Sequence, residues 1–115
     1  MGKSFIKAIE NARLEDSGFY YTLSLISGKY KMAVLYTLSL FDVMRFNELQ
    51  RFIKSASCKT LSATLKELEN DKLIMRTEYP QIPPKVEYKL SERGQSLIPI
   101  LDAMCIWGEQ NRLVD

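Results

Sequence analysis

The chain has 115 residues, 46% of them hydrophobic and 26% charged, with a formal net charge of +2. That is the size and balance of one globular domain that buries its own core, and it excludes disorder and collagen-like structure. With no histidine and only two cysteines, Cys58 and Cys105, the chain lacks the means for histidine acid–base catalysis, a zinc site or a disulfide framework; neither metal nor cofactor is expected.

Phe5, Ile6, Ile9 and Ala12 recur at helical spacing, predicting a short amphipathic helix over residues 3–13. Glu15, Asp16 and Ser17 form an acidic, capping start for a second helix, which carries Tyr20, Leu23 and Ile26 and ends near Gly28. A third spans Lys29 to Leu40, with Tyr30, Ala33, Val34, Leu38 and Phe41 along one side. The segment Val43 to Ile53 reads as a fourth, opened by Asn47 or a neighbour, with Phe46, Leu49, Phe52 and Ile53 as its apolar stripe. Lys54 to Ser57 is a short polar break. Ser57 then caps a helix from Cys58 to about Asp71, with Leu61, Leu65 and Leu68 on one face.

Beyond Lys72 the apolar period changes from about 3.6 to 2. Leu73 to Tyr79 reads as a strand, and Val86, Tyr88 and Leu90 alternate with Lys85, Glu87 and Lys89 in a second, half-buried one. Pro80, Pro83 and Pro84 stiffen the loop between them and forbid ladder pairing there. Ser91 caps a last helix running to about Asn111, in which Pro99 forces a kink or a late start. No apolar stretch of signal-peptide length follows Lys3. The most apolar segment, Leu97 to Trp107, is broken by Pro99 and Asp102 and is far short of a membrane span. These features and the cysteine usage point to a cytoplasmic protein.

Two helices joined by a tight polar break, followed directly by a hairpin, make a winged helix-turn-helix. The expected fold is therefore mainly α with a small β-hairpin (α+β), in one domain over residues 1–115. Residues 45–71 are the helix-turn-helix and 73–90 the wing. Charge placement supports a nucleic-acid role. From Arg45 to Lys66 five basic residues stand against one acid, Glu48, which leaves +4, and Glu67, Glu69 and Asp71 come only at the helix's far end. The positive amino end coincides with the positive end of the helix dipole. Lys29, Arg51 and Lys54 are phosphate candidates; Lys59, Thr60, Ser62 and Ala63 are base-edge candidates, with Lys66 beside them. At the wing, Tyr79, Gln81 and Lys85 would reach a neighbouring minor groove or the backbone. Of the other tyrosines, Tyr20, Tyr30, Tyr36 and Tyr88 fall on core-facing positions.

The stretches Ser27-Gly28-Lys29-Tyr30-Lys31, Arg45-Phe46-Asn47-Glu48-Leu49, Leu61 to Glu69, Tyr79-Pro80-Gln81-Ile82-Pro83-Pro84-Lys85-Val86-Glu87-Tyr88 and Leu97 to Gly108 resemble the HxlR-type winged-helix transcriptional regulators, bacterial relatives of the MarR group. The resemblance covers about residues 17–108, and the proline-rich wing is its most specific piece. It implies a homodimer that binds an operator, with Ser57 to about Asn70 as recognition helix, Tyr79 to Lys85 as wing, and the N- and C-terminal helices as dimer surface. The family often has Cys-Pro, an oxidant or electrophile sensor in several members, where this chain has Ser17 and Gly18. Tyr30 replaces the usual tryptophan.

The dimer also follows from the residues. Leu97, Leu101, Met104 and Cys105 form one apolar face of the last helix, while Ile100, Ile106 and Trp107 lie largely off it. A helix apolar on more than one side must bury the second side, either under a partner chain or under the N-terminal helix of the same chain. The resemblance makes residues 1–28 and 91–115 the dimerisation helices. Cys58, three residues before Leu61, is expected to be buried and inert on the leucine side, and Cys105 to lie in the core or the dimer interface; DNA binding should then resist mild oxidants. Two other classes remain: a winged-helix module that meets a protein, and an enzyme, which the absence of histidine, of a phosphate-binding glycine loop and of paired carboxylates disfavours. The leading reading is a homodimeric regulator of transcription on an inverted-repeat operator in duplex DNA, with no membrane partner and an effector the residues do not name.

Overall fold

The computed structural model describes residues 13–114. The helix expected over residues 3–13 lies almost wholly outside them. A single turn of 3-10 helix, Leu14–Asp16, leads into α1, Gly18–Ile26. Ser17 caps α1: its Oγ accepts from the Tyr20 N–H at 3.1 Å and donates to the Leu14 carbonyl at 2.6 Å. After α1, Gly28 takes φ +136, a conformation that any side chain would strain.

Helix α2, Lys31–Phe41, is the central element. Val34, Leu35 and Leu38 are wholly buried, while Ala33 and Phe41, expected on the same inner side, are exposed. The segment read as one helix from Val43 is two elements. Val43–Met44 form a short strand, β1, and α3 runs Phe46–Phe52. Glu48 fixes the start of α3, its Oε1 accepting from the Arg45 N–H at 2.8 Å. Leu49 and Ile53 are buried and Phe46 half-buried, but Phe52 is exposed. Its ring instead meets Phe41, with centroids 4.6 Å apart. The stripe therefore continues off the core and covers itself with a second aromatic.

Helix α4, Cys58–Asn70, follows the tight turn. Ser57 Oγ accepts from the Thr60 N–H at 3.1 Å, as a capping serine should. At the other end, the Lys72 N–H bonds to the Glu69 carbonyl and the Leu73 N–H to the Leu68 carbonyl, each at 2.9 Å, with Lys72 at φ 62. That is a Schellman end, closed by the buried pair Leu68 and Leu73. Leu61, Leu65 and Leu68 bury the inner face of α4 as expected.

Strands β2, Ile74–Tyr79, and β3, Lys85–Leu90, form the hairpin. Because β1 pairs with β3 as well, the sheet is three-stranded and antiparallel in the order β1-β3-β2, with Met44 opposite Tyr88 and Ile74 opposite Leu90. The chain after Ser91 is divided into α5, Glu92–Gln95, and α6, Ile98–Asn111, with Pro99 in the first turn of α6. Of the two outcomes proline allowed, a late start is the one realised. Gly94 lies so close to the base of the wing that an added Cβ would stand 2.0 Å from the Leu73 carbonyl oxygen. The fold is a winged helix, mainly α with a small sheet. None of its described helices is long and apolar enough to cross a membrane.

Candidate nucleic-acid interface

The inner face of α4 is leucine, so its outer face is free to carry function. Lys59, Thr60, Ser62, Ala63 and Lys66 are all exposed there. Thr60 shares its hydroxyl with the cap, at 3.0 Å from Ser57 Oγ. Arg51 near the end of α3 and Lys54 in the turn are exposed, Arg51 beside a hollow lined by Phe41, Val43 and Glu48. Lys29 is brought to the same side by Tyr30, which is buried and donates its hydroxyl to the Ser55 carbonyl at 2.9 Å. The Lys29 ammonium lies 5.5 Å from the Tyr30 ring centroid. Exposed cations thus come from three separate segments that precede α4, and from α4 itself.

The far end of α4 is held differently. Lys31 is 9% exposed, and its ammonium meets the Glu67 carboxylate at 2.9 Å. This pair fixes the roll of α4 against α2, and it neutralises one of the acids nearest the basic face. Sequence reasoning gave Lys31 no role, because a lysine on an apolar face carries no signal of the partner it will find.

Between α4 and the sheet runs a groove of about 340 Å³ lined by Ser62, Leu65, Lys66, Glu69, Arg76 and Tyr88. Arg76 was not singled out from the sequence. Side-chain hydrogen bonding to Tyr88 and the Glu78 carboxylate raise its already high pKa, and its guanidinium stands 3.1 Å from Glu78. The strand period alone could have placed Arg76 on the Tyr88 face, since the two are cross-strand partners.

On the wing the expected residues are less free than their types suggested. Tyr79 donates its hydroxyl to Glu87 at 3.0 Å, which raises the phenol pKa. The Lys85 ammonium pairs with Glu87 at 3.4 Å and lies 5.0 Å from the Tyr79 ring centroid. Lys85 and Tyr79 therefore form a closed cluster at the neck of the wing. Gln81, beyond it, is exposed.

The HxlR-like helix-turn-helix family model matches residues 25–114. The chain belongs to the HxlR family. Within the HxlR family, an uncharacterized HTH-type transcriptional regulator of Halalkalibacterium halodurans is 52% identical over 99 residues, covering 86% of this chain and 88% of the relative. The regulator YdzF of Bacillus subtilis is 52% identical over 96 residues, covering 84% and 88%. Among solved structures, the redox regulator HypR in its reduced form superposes with a TM-score of 0.79 at 43% identity, over 84% of this chain and 94% of that one. This HxlR protein is a transcriptional regulator of helix-turn-helix type, and its relatives place it outside the enzymes.

Two expectations about this HxlR chain, for Cys58 and Tyr20, need correction. Cys58 is exposed, not buried on the leucine side. It occupies the first position of α4, ahead of the first inward leucine, and its sulfur sits 3.2 Å from Gln50 Nε2. Cys105 is exposed on α6 in the single chain, so it is not a core residue. Tyr20, expected to face the core, is also exposed, whereas Tyr30 is buried and Tyr36 and Tyr88 are half-buried.

Proposed function

We propose that this HxlR regulator is a cytoplasmic homodimer that binds duplex DNA at an inverted-repeat operator, with α4 in the major groove and the β2–β3 wing beside it. The observation that carries the reading is the cationic mouth of α4. Lys29, Arg51, Lys54 and Lys59 are exposed in the segments leading up to and opening α4, and the outward residues of that helix, Thr60, Ser62 and Ala63, are short enough to let it approach base edges. Lys66, one turn further along, would meet the backbone at the groove's rim.

The homodimer is supported by what α1 and α6 leave uncovered. Phe19, Tyr21, Ile100, Met104, Ile106 and Trp107 are all exposed, and an apolar groove of about 460 Å³ runs between the two helices. Large apolar surface of this kind marks an interface. HypR is named a redox regulator, but thiol sensing is not carried over, because Ser17 and Gly18 stand where the family's sensor cysteine would be.

The test is fluorescence anisotropy with duplexes selected by the protein from a random pool. Selected sites should be inverted repeats with half-sites about one helical turn apart. Binding should weaken steeply with salt, in proportion to the phosphates neutralised. Selection that yields no sequence, with no duplex affinity at low salt, would overturn the reading in favour of a protein-binding module.

A further inference from the structure

Helix α4 is attached to the core mainly through leucines. Apolar burial has no direction, so it holds a helix in place more firmly than it fixes the helix's roll. Links that do have a direction come from two consecutive residues at the start of α2. Tyr30 donates its hydroxyl to the Ser55 carbonyl at 2.9 Å, in the turn just before α4, and the Lys31 ammonium meets Glu67 at 2.9 Å near the helix's far end. Among the described residues, Lys31–Glu67 is the one ion pair that joins α4 to another element. The stem of Lys31 is buried against the turn that follows α1: a Cβ on Gly28 would stand 3.3 Å from Lys31 Cδ, and glycine leaves that space open. Glu67 follows Thr60 by seven residues and Ala63 by four, so the three share one stripe of α4. The roll that Lys31 imposes on Glu67 is therefore imposed on the base-edge candidates as well.

We propose that Lys31 is a specificity-determining positioning residue: without touching DNA, it sets the roll at which α4 presents Thr60, Ser62 and Ala63 to base edges. This role rests on the DNA-binding reading above. Side-chain tips lie about 5 Å from a helix axis, so a roll of about 10° displaces them by roughly 1 Å. A hydrogen bond to a base edge exists only over about 2.7–3.2 Å, and that displacement removes it. Contacts from long lysines to phosphates follow the same displacement, because the stem is flexible and the attraction between charges falls slowly with distance. The pair thus acts on discrimination among sequences and hardly on affinity for DNA as such. Lys31 also cancels the charge of Glu67 beside the basic face, but that effect bears on every sequence alike, which makes the two separable.

The experiment uses the full-length protein, an operator duplex selected by it and a scrambled duplex of the same length, each titrated over a range of salt. Lys31→Met combined with Glu67→Gln removes the pair, keeps the volume of the stem and leaves the local net charge unchanged. Operator affinity should fall about 10-fold, the scale of one mismatched base pair, while scrambled affinity and the salt slope stay at their wild-type values. Replacing a buried ion pair by packed neutral groups costs little stability, so the Tm should stay within a few degrees of wild type. Glu67→Ala tests the same link from a side chain that is 59% exposed, where folding is not at risk. Its ratio of operator to scrambled affinity should fall by the same factor, whatever the lost charge does to both. Lys31→Arg keeps the pair and should keep the wild-type ratio. A wild-type ratio in either the double variant or Glu67→Ala overturns the proposal, although α4 keeps its role. Wild-type protein that binds neither duplex overturns the DNA-binding reading, and the role of Lys31 with it.

Discussion

The two ends of this molecule are finished to different degrees. Around α3 and α4 every large inward side chain is covered: Leu49, Leu61, Leu65, Leu68 and Leu73 are essentially inaccessible, and the helix ends are closed by Glu48, Ser57 and the Schellman turn at Lys72. Along α1 and α6 the reverse holds. In the whole of α6 only Leu101 is buried, and Trp107 remains 67% exposed. Fully burying a leucine is worth about 2 kcal/mol, so these side chains anchor the helix-turn-helix half. The α1–α6 half buries little of its apolar surface within the described residues. A reader of a fixed groove geometry needs the first property; an assembly surface needs the second.

The sharpest break of this contrast is at the joint between the two halves. Gly94 lets α5 pack onto the base of the wing, and a Cβ there would meet the Leu73 carbonyl oxygen at 2.0 Å. Backbone cannot yield cheaply, so Gly94→Ala should cost about 3 kcal/mol, read as a fall of roughly 15 °C in Tm. A variant with wild-type Tm would show that the two halves are not rigidly joined.

Next in size is the assembly surface. Ile100→Asp combined with Trp107→Asp replaces exposed apolar groups and removes no contact within the core. Sedimentation should change from a dimer mass to a monomer mass with the helical circular dichroism retained. Affinity for an inverted repeat should fall about 10²-fold, because the second half-site is no longer bound intramolecularly. An unchanged dimer would move the interface elsewhere, and the Leu40–Phe41–Phe52 surface would be the next to examine.

What the sequence made legible follows the same division. Elements closed by local chemistry were readable: Ser57 and Ser91 as caps, the leucine face of α4, the hairpin from its change of period, and an interruption of the last helix at Pro99, left open between a kink and a late start. What was missed depends on distant partners. Val43 and Met44 look like the start of a helix until β3 arrives beside them. Phe41 and Phe52 look like core until they are seen stacked outside it. The candidate interface was legible on α4 because charge and side-chain size are sequence properties. On the wing, the pairing of Lys85 and Tyr79 with Glu87 is not such a property.

Smaller effects separate the roles within the reading half. Ser57→Ala removes the acceptor for the Thr60 N–H and should cost about 1 kcal/mol of stability. Lys59→Ala and Lys66→Ala should leave stability alone and weaken binding on every sequence, each lowering the slope of log affinity against log salt by about one unit. Ser62 exchanged for a bulky residue should instead change the preference among half-sites. If these three binding variants all keep the wild-type salt slope and the wild-type preference, α4 is not the reading helix.

The gentlest comparison needs no substitution, because the chain carries one exposed cysteine in each half. Cys58 opens α4, at the centre of the cationic mouth, and Cys105 lies on α6 among residues assigned to the dimer surface. Both are exposed among the described residues, which makes their labelling rates a readout of what covers each face. In the proposed dimer, at micromolar protein, Cys105 should label slowly and Cys58 fast. Adding operator duplex should slow Cys58 several-fold and leave Cys105 as it was. In the Ile100→Asp, Trp107→Asp protein the Cys105 rate should rise and become independent of DNA. Mass spectrometry of the two tryptic peptides reads both rates from one sample. Protection of Cys105 by DNA with Cys58 unaffected would exchange the assignments of the two faces. Protection of neither would leave α4 without a ligand and α6 without a second chain.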